Sequence, residues 1–445
     1  MTPTARTVSP STLPRVSLLR RQLADTRPLA QPDFRRLWIA NIVTVIGAQL
    51  SIVAVPQQVF EITRSSAYVG LTGVFALVPL IVFGLWGGAL ADALDRRRLL
   101  MVTTTGLIVT AVLFWAQAAA GNRNVWVVMV LLSVQQAFFA VNQPTRSAIT
   151  PRLIPADQLA SASALMMTVM QFGAIVGPVT AGILIPVVGL QSLYLLTAVA
   201  LLATLYAVYR LPPQPTSGER RSAGLRSVID GFAYLATRRI LLASFLVDVI
   251  AMVFGMPRAL FPQIATESFG DPASGGSALG LLFAAMSVGA VLGGVFSGWI
   301  PRVRRQGLAV LVCVALWGLA MVAFGLVVGA ASPDGSAWWL WLALLALAFG
   351  GAVDMVSAAF RQAILLDSAT DEMRGRLQGV FIVVVAGGPR LGDVAHGVAA
   401  ASVGTAVAAA GGGVLVVIGV VVAAVAFPAF LRYTVRSAVE RGTRG

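Results

Sequence analysis

Apolar runs of about twenty residues recur along this chain, each long enough to cross a hydrocarbon layer of about 30 Å as one helix. They lie near 37–60, 68–91, 99–120, 125–145, 161–187, 191–210, 240–262, 278–300, 307–330, 338–360, 376–400 and 405–431, with the charged residues gathered between them. Backbone groups in lipid must be satisfied within their own segment, and no alternating pattern of barrel strands appears. The expected fold is therefore an all-α membrane protein with twelve transmembrane helices. Composition agrees: 58% of the residues are hydrophobic and only 11% are charged, far from soluble usage.

The loops set the expected orientation. Arg35 and Arg36, Arg96 to Arg98, Arg146 and Arg152, Arg220, Arg221 and Arg226, Arg302, Arg304 and Arg305, Arg374 and Arg376, then Arg432, Arg436 and Arg441 all fall on one side of a twelve-crossing path. The opposite loops hold Arg64 and Arg123 with the acids Glu267, Asp271 and Asp334. Arginine-rich short loops are retained in the cytoplasm, so both termini are expected there. The acid-poor tail over 1–36 has no apolar core of a secretory signal and reads as a cytoplasmic tail.

The longest connection, 211–239, opens with Pro212, Pro213 and Pro215 and continues into a stretch, 222–237, that reads as an amphipathic surface helix. It divides the chain into bundles over 37–210 and 240–431, with a C-terminal tail over 432–445. The bundles resemble each other. Arg146-Ser-Ala-Ile, after the fourth apolar run, lines up with Arg361-Gln-Ala-Ile after the tenth, and Gly88 to Asp92 lines up with Gly294 to Gly298. Two matched loops at equivalent places indicate an internal repeat.

Several function classes are excluded. The formal charge of +14 sits in loops beside headgroups, which argues against nucleic acid. The chain contains no lysine, so the phosphate-binding lysine of a P-loop is absent and transport must draw on an ion gradient or a partner. One cysteine, Cys313, and one histidine, His396, leave no set of metal ligands or nucleophile pair for an enzyme, and neither cofactor nor metal is expected. A scaffold or sensor would need an extra soluble domain, which no loop is long enough to form.

Two motifs carry a family resemblance. Gly88-Ala-Leu-Ala-Asp92-Ala-Leu-Asp-Arg96-Arg97 resembles the loop between the second and third helices of the major facilitator superfamily, with Ala93 and Asp95 at positions where that loop has arginine and glycine. Gly173, Gly177-Pro178 and Ala181-Gly182 resemble the fifth-helix motif of its exporters, with Met166 where an earlier glycine usually stands. Val53 to Pro56, Arg258 to Pro262 and the glycine pattern from Gly280 to Gly298 are similar to the enterobactin-exporter type. The resemblance implies two pseudo-symmetric six-helix bundles around a cavity that opens alternately to each side. It also implies a monomer that exports a small amphipathic molecule, siderophore-like or drug-like, by proton antiport; a broad multidrug pump is the alternative. By the same resemblance, Gly88, Asp92, Arg96 and Arg97 form a conformational switch, and Gly173 to Gly182 a pivot.

Charges inside the apolar runs are the remaining signal, because each costs at least ~2.5 kcal/mol in mid-bilayer and must face protein or water. Asp248, Asp354 and Asp393 are expected as proton or substrate sites, with Arg258 and Arg390 as counter-charges or anion anchors. Asp248 and Arg258 are too far apart along one helix to pair, about 15 Å. Arg390, Asp393 and His396 share a helix face, so a local Arg390–Asp393 pair is expected. Asn41, Gln49 and Gln57 in the first helix, and Gln135 and Asn142 in the fourth, are expected to line the cavity.

Overall fold

The computed structural model describes residues 25–212, 230, 233–368 and 371–434. Twelve long helices follow in order: α1 (Pro32–Thr63), α2 (Ser66–Ala93), α3 (Arg96–Ala119), α4 (Val125–Ile149), α5 (Leu159–Val188), α6 (Leu190–Tyr209), α7 (Arg239–Phe254), α8 (Ser277–Val295), α9 (Gln306–Ala330), α10 (Trp338–Ser368), α11 (Asp371–Val403) and α12 (Thr405–Ala426). Eleven crossings have the length and apolar composition of a membrane span. The other, α11, has the length and carries Arg390, Asp393 and His396 inside it.

Each half repeats one packing plan. In the first, α1 packs on α5 and α6, α2 on α4, and α3 on α4 and α6; in the second, α7 packs on α11 and α12, α8 on α10, and α9 on α10 and α12. The halves meet through α2 with α11 and α5 with α8. Small residues permit this approach, as expected where packing rather than water drives helices together. A Cβ at Gly182 would lie 2.9 Å from Cα of Gly280, and one at Gly397 would lie 2.8 Å from Cα of Gly70. All four glycines lie in the parts of their helices remote from the chain termini. Nearer the terminal end, Gly84 and Gly298 would meet nothing within 4 Å. The halves are thus joined at one end and parted at the other.

One crossing is broken where a charged side chain enters the interior. After Phe254 the seventh crossing turns through Gly255, Met256 and Pro257, then resumes as a short helix, Phe261–Glu267. The freed Gly255 carbonyl accepts a hydrogen bond from Trp317 Nε1 at 3.1 Å, so the break is satisfied inside the protein. Pro144 and Pro389 stand just before Arg146 and Arg390 inside helices that continue past them.

The structure corrects two helix ends. Arg146 and Arg361 read as loop arginines, yet α4 runs to Ile149 and α10 to Ser368, so both lie within helices. Their guanidinium groups find polar partners on neighbouring helices, which removes the hydropathic reason for the helix to stop. The tail over 1–24, most of the connection over 213–232 and residues 435–445 lie outside the described residues, as does most of the expected surface helix over 222–237.

Candidate functional site

A cavity of about 280 Å³ is walled chiefly by α1 and α4 and closed on the other side by Arg258, Phe283, Arg390 and Asp393 of the second half. Its wall is amphipathic: Ile52, Met170, Phe139 and Phe283 alternate with amides and hydroxyls. Among the described residues, the side-chain amides of Gln49, Gln135 and Gln136 make no hydrogen bond within the protein and stand free for a guest. Asn142 also lines the cavity, but its Nδ2 donates to Thr103 Oγ1 at 2.9 Å and Thr104 Oγ1 at 3.2 Å.

Two of the expected lining residues lie elsewhere. Asn41 accepts a 2.6 Å hydrogen bond from Arg146 Nη1 through its Oδ1 and packs on the Met166 sulfur. Gln57 is fully buried, and its Nε2 donates to the Ala273 carbonyl of the other half at 2.9 Å. It is a strut between the halves at their joined end, beside the Ser66 hydroxyl that donates to Gln263 Oε1 at 2.5 Å. Sequence position alone could not separate a lining amide from a strut, because both lie on α1.

The charged residues fall into two groups. At the joined end, Arg258 after the break in α7 and Arg390 and Asp393 on α11 all face the cavity. Asp393 is nearly buried, with the guanidinium groups of Arg258 and Arg390 and the Ala259 amide as its polar surroundings. The expected Arg390–Asp393 pair is therefore part of a three-residue group, with the facing charges at longer range than a contact ion pair. His396, one turn further on, is buried, and its Nδ1 lies 3.0 Å from the Gly392 carbonyl.

The second group lies towards the parted end. Asp248 is buried on α7 and forms an ion pair with Arg361 Nη1, while Arg361 Nη2 donates to Asp354 Oδ1 at 3.3 Å. Arg361 itself is only 4% exposed, so a single buried cation serves two carboxylates. Arg258 and Arg390 lie beside Asp393, whereas Asp248 and Asp354 are served by Arg361. Sequence position does not single out Arg361, because the apolar run ends at Phe360. Its spacing of seven from Asp354, two helical turns on one face, is the signal that could have found it.

The two family motifs divide by what they touch. Gly173 and Gly177 lie against Val45 and Gln49 of α1 in their own half, whereas Pro178 and Gly182 lie against Gly280 of the other half. Ala181 is fully buried between them. In the loop motif, Gly88 and Asp92 close α2, and their side-chain surroundings lie outside the described residues. Arg96 Nη1 donates to the Ala148 carbonyl at 3.3 Å. Arg97 Nη2 donates to the Tyr209 carbonyl at 2.5 Å and its guanidinium lies over that ring. Both arginines thus bind the ends of helices in their own half. Asp95 caps α3 by accepting from the Arg98 amide at 3.0 Å.

A family model described as transmembrane secretion effector, of the major facilitator type, matches residues 24–437. The chain belongs to that family. The enterobactin exporters of Citrobacter koseri and Shigella boydii are each 28% identical to it over 357 residues, covering 79% of this chain and 81% of theirs. Among solved structures, a variant of the nucleoside transporter NupG superposes with a TM-score of 0.72 at 13% identity, covering 89% of this chain and 99% of that one. A bacterial homologue of the human lysosomal transporter Spinster, inward-facing and unoccupied, gives 0.68 at 14% identity, covering 92% and 100%. At such identities the structures speak for the fold alone, two six-helix bundles about a central cavity. The protein is a multi-pass secondary transporter of a small molecule and not an enzyme.

Proposed function

We propose that this protein exports a siderophore-like amphipathic molecule from a bacterial cytoplasm by alternating access, driven by proton antiport. The observation that carries the reading is the cavity between the two bundles, amphipathic in its lining and sealed at one end by glycine-to-glycine helix contacts. The relatives named as enterobactin exporters support the direction and the substrate class. We read the parted end of the cavity as the cytoplasmic one, because the loop arginines support cytoplasmic termini.

Proton coupling is supported by carboxylates inside the helices, Asp248 and Asp393 buried and Asp354 half-buried. A carboxylate in low dielectric prefers to be neutral, and a neighbouring arginine restores its charge, so a change in their separation binds or releases a proton. Asp248 and Asp354 on Arg361, and Asp393 beside Arg258 and Arg390, are the groups for this role. The switch-loop residues Gly88, Asp92, Arg96 and Arg97 and the pivot Gly173 to Gly182 would govern the exchange of open ends, the protein acting as a monomer.

The test is loss of a labelled catechol siderophore from cells with and without the protein, repeated after collapse of the proton gradient. Faster loss only while the gradient stands is the expected result. Loss that survives the collapse overturns the coupling, uptake overturns the direction, and equal export of unrelated drugs favours a broad efflux pump.

A further inference from the structure

The charges that face the cavity do not balance. Arg146, Arg258 and Arg390 line it, against one carboxylate, Asp393, and every other lining group is neutral. The two acids that could have offset them, Asp248 and Asp354, are committed to Arg361 outside this lining. Nε of Arg146 and Nε of Arg258 are moreover buried without a hydrogen-bond acceptor. A guanidinium held between helices with donors unsatisfied is costly, and its cost falls when an anion enters.

Resting on the exporter reading above, we propose that the cavity takes amphipathic organic anions, whose acidic group docks between Arg258 and Arg390 in competition with Asp393. An inorganic anion would leave the apolar wall of Ile52, Met170, Phe139 and Phe283 uncovered, and a cationic amphipath would add a third positive charge beside Arg258 and Arg390. The guest therefore carries an acid at one end and an apolar, aromatic-sized body.

Arg146 is a second station rather than the other jaw of one clamp. Ser133 on α4 donates to the Phe75 carbonyl, two residues from Gly73, whose missing side chain admits the Arg390 backbone. Ser133 thus marks the level of Arg390, and Arg146 lies thirteen residues further along α4, about 20 Å at the helical rise. An acid entering from the parted end meets Arg146 first and passes inward to Arg258 and Arg390.

The experiment is calorimetric binding to the purified full-length protein in detergent. The probes are naphthylacetic acid and dihydroxybenzoyl-glycine, each beside its neutral amide and its cationic aminoethyl amide. The acids should bind about tenfold or more tighter than the amides, the worth of a charge-assisted contact away from water. Arg258→Gln and Arg390→Gln should each abolish that preference, Arg258→Lys should keep most of it, and Arg123→Gln in a remote loop should leave it unchanged. Asp393→Asn should tighten the acids several-fold without changing the amides, a result that a merely structural role would not give. Amides binding as well as acids, or a preference that survives Arg258→Gln, overturns the proposal, as does the absence of binding by either acid. If amides or amines bind in that last case, the exporter reading stands while the anion reading falls.

Discussion

Arg146 and Arg361 occupy equivalent places in the two halves, each near the end of the fourth helix of its bundle and each turned towards the first. Their partners differ. In the first half the partners are neutral, Asn41 Oδ1 at 2.6 Å and Thr204 Oγ1 at 3.4 Å, and the guanidinium lines the cavity. In the second they are two carboxylates, Asp248 and Asp354, and the guanidinium is sealed from solvent. One arginine keeps its charge available for a guest; the other has its charge bound within the protein. A repeat with nearly the same local sequence thus holds its arginine among neutral partners beside the cavity in one bundle and between two carboxylates in the other; on the function proposed above, the first meets the substrate and the second couples protons.

The largest effect should come from breaking the second arrangement. Arg361→Gln leaves Asp248 buried beside no cation, and loss of one member of a buried pair costs about 3–5 kcal/mol. Melting in detergent should fall accordingly, and gradient-driven efflux should drop about a hundredfold. The double variant Arg361→Gln with Asp248→Asn removes the stranded charge and should recover much of the melting temperature but not the coupling. If the double variant pumps normally, the cluster is only a structural pair.

The converse change gives the first half the chemistry of the second. Asn41→Asp supplies a carboxylate to Arg146 at the distance where its amide oxygen now stands, and should draw the guanidinium's charge away from the cavity. Capture of anionic guests should weaken about tenfold, read as a higher KM with little change in kcat. No change would mean that Arg146 does not meet the substrate.

How much of this was legible in the sequence differs between scaffold and site. Helix number and the all-α fold follow from segment length and the need to satisfy backbone groups in lipid, constraints that act on each segment separately. The glycines and prolines of α5 were legible as a packing stripe, but not which face met α1 and which met α8. The partners of Asp248 were not legible, because Arg361 is over a hundred residues away and hydropathy closed its helix too early. Gln49 and Gln57 are eight residues apart on α1, yet one faces the cavity and the other crosses to Ala273. Only the position of the second bundle distinguishes them.

A smaller effect should come from the joint between the halves, where Gly280, near the start of α8, contrasts with Gly298, just beyond the other end of that helix. A Cβ at Gly280 would press on Gly182 Cα at 2.9 Å and on the Pro178 carbonyl, whereas one at Gly298 meets nothing. Gly280→Ala should cost the sealed joint about 1–3 kcal/mol and shift the population towards opening at that end. Spin-label distances between the remote ends of α5 and α8 should lengthen in this variant, and Gly298→Ala should leave them unchanged. Equal distances in both would mean that the joint is not held by close backbone approach.

The smallest effect tests whether the same charge chemistry matters at the surface. Asp25 pairs with Arg27 at 2.8 Å and accepts a hydrogen bond from Ser161 at 2.8 Å, tying the start of the described chain to α5. Those hydrogen bonds, from Arg27 first and then Ser161, hold its carboxyl below the ordinary carboxylate range. A depressed folded-state value contributes stability above the unfolded value, about 3.9, and that contribution is lost as pH falls through the folded one. The pair stands in solvent, where exchange with water and salt screens it, so Asp25→Asn should scarcely move the melting temperature at pH 7. The small gap between the wild type and Asp25→Asn should close as the pH is lowered, and raising the salt should close it too. A gap as large as that of Arg361→Gln, or one that widens in acid, would show that burial is not what separates the interior cluster from an ordinary surface pair.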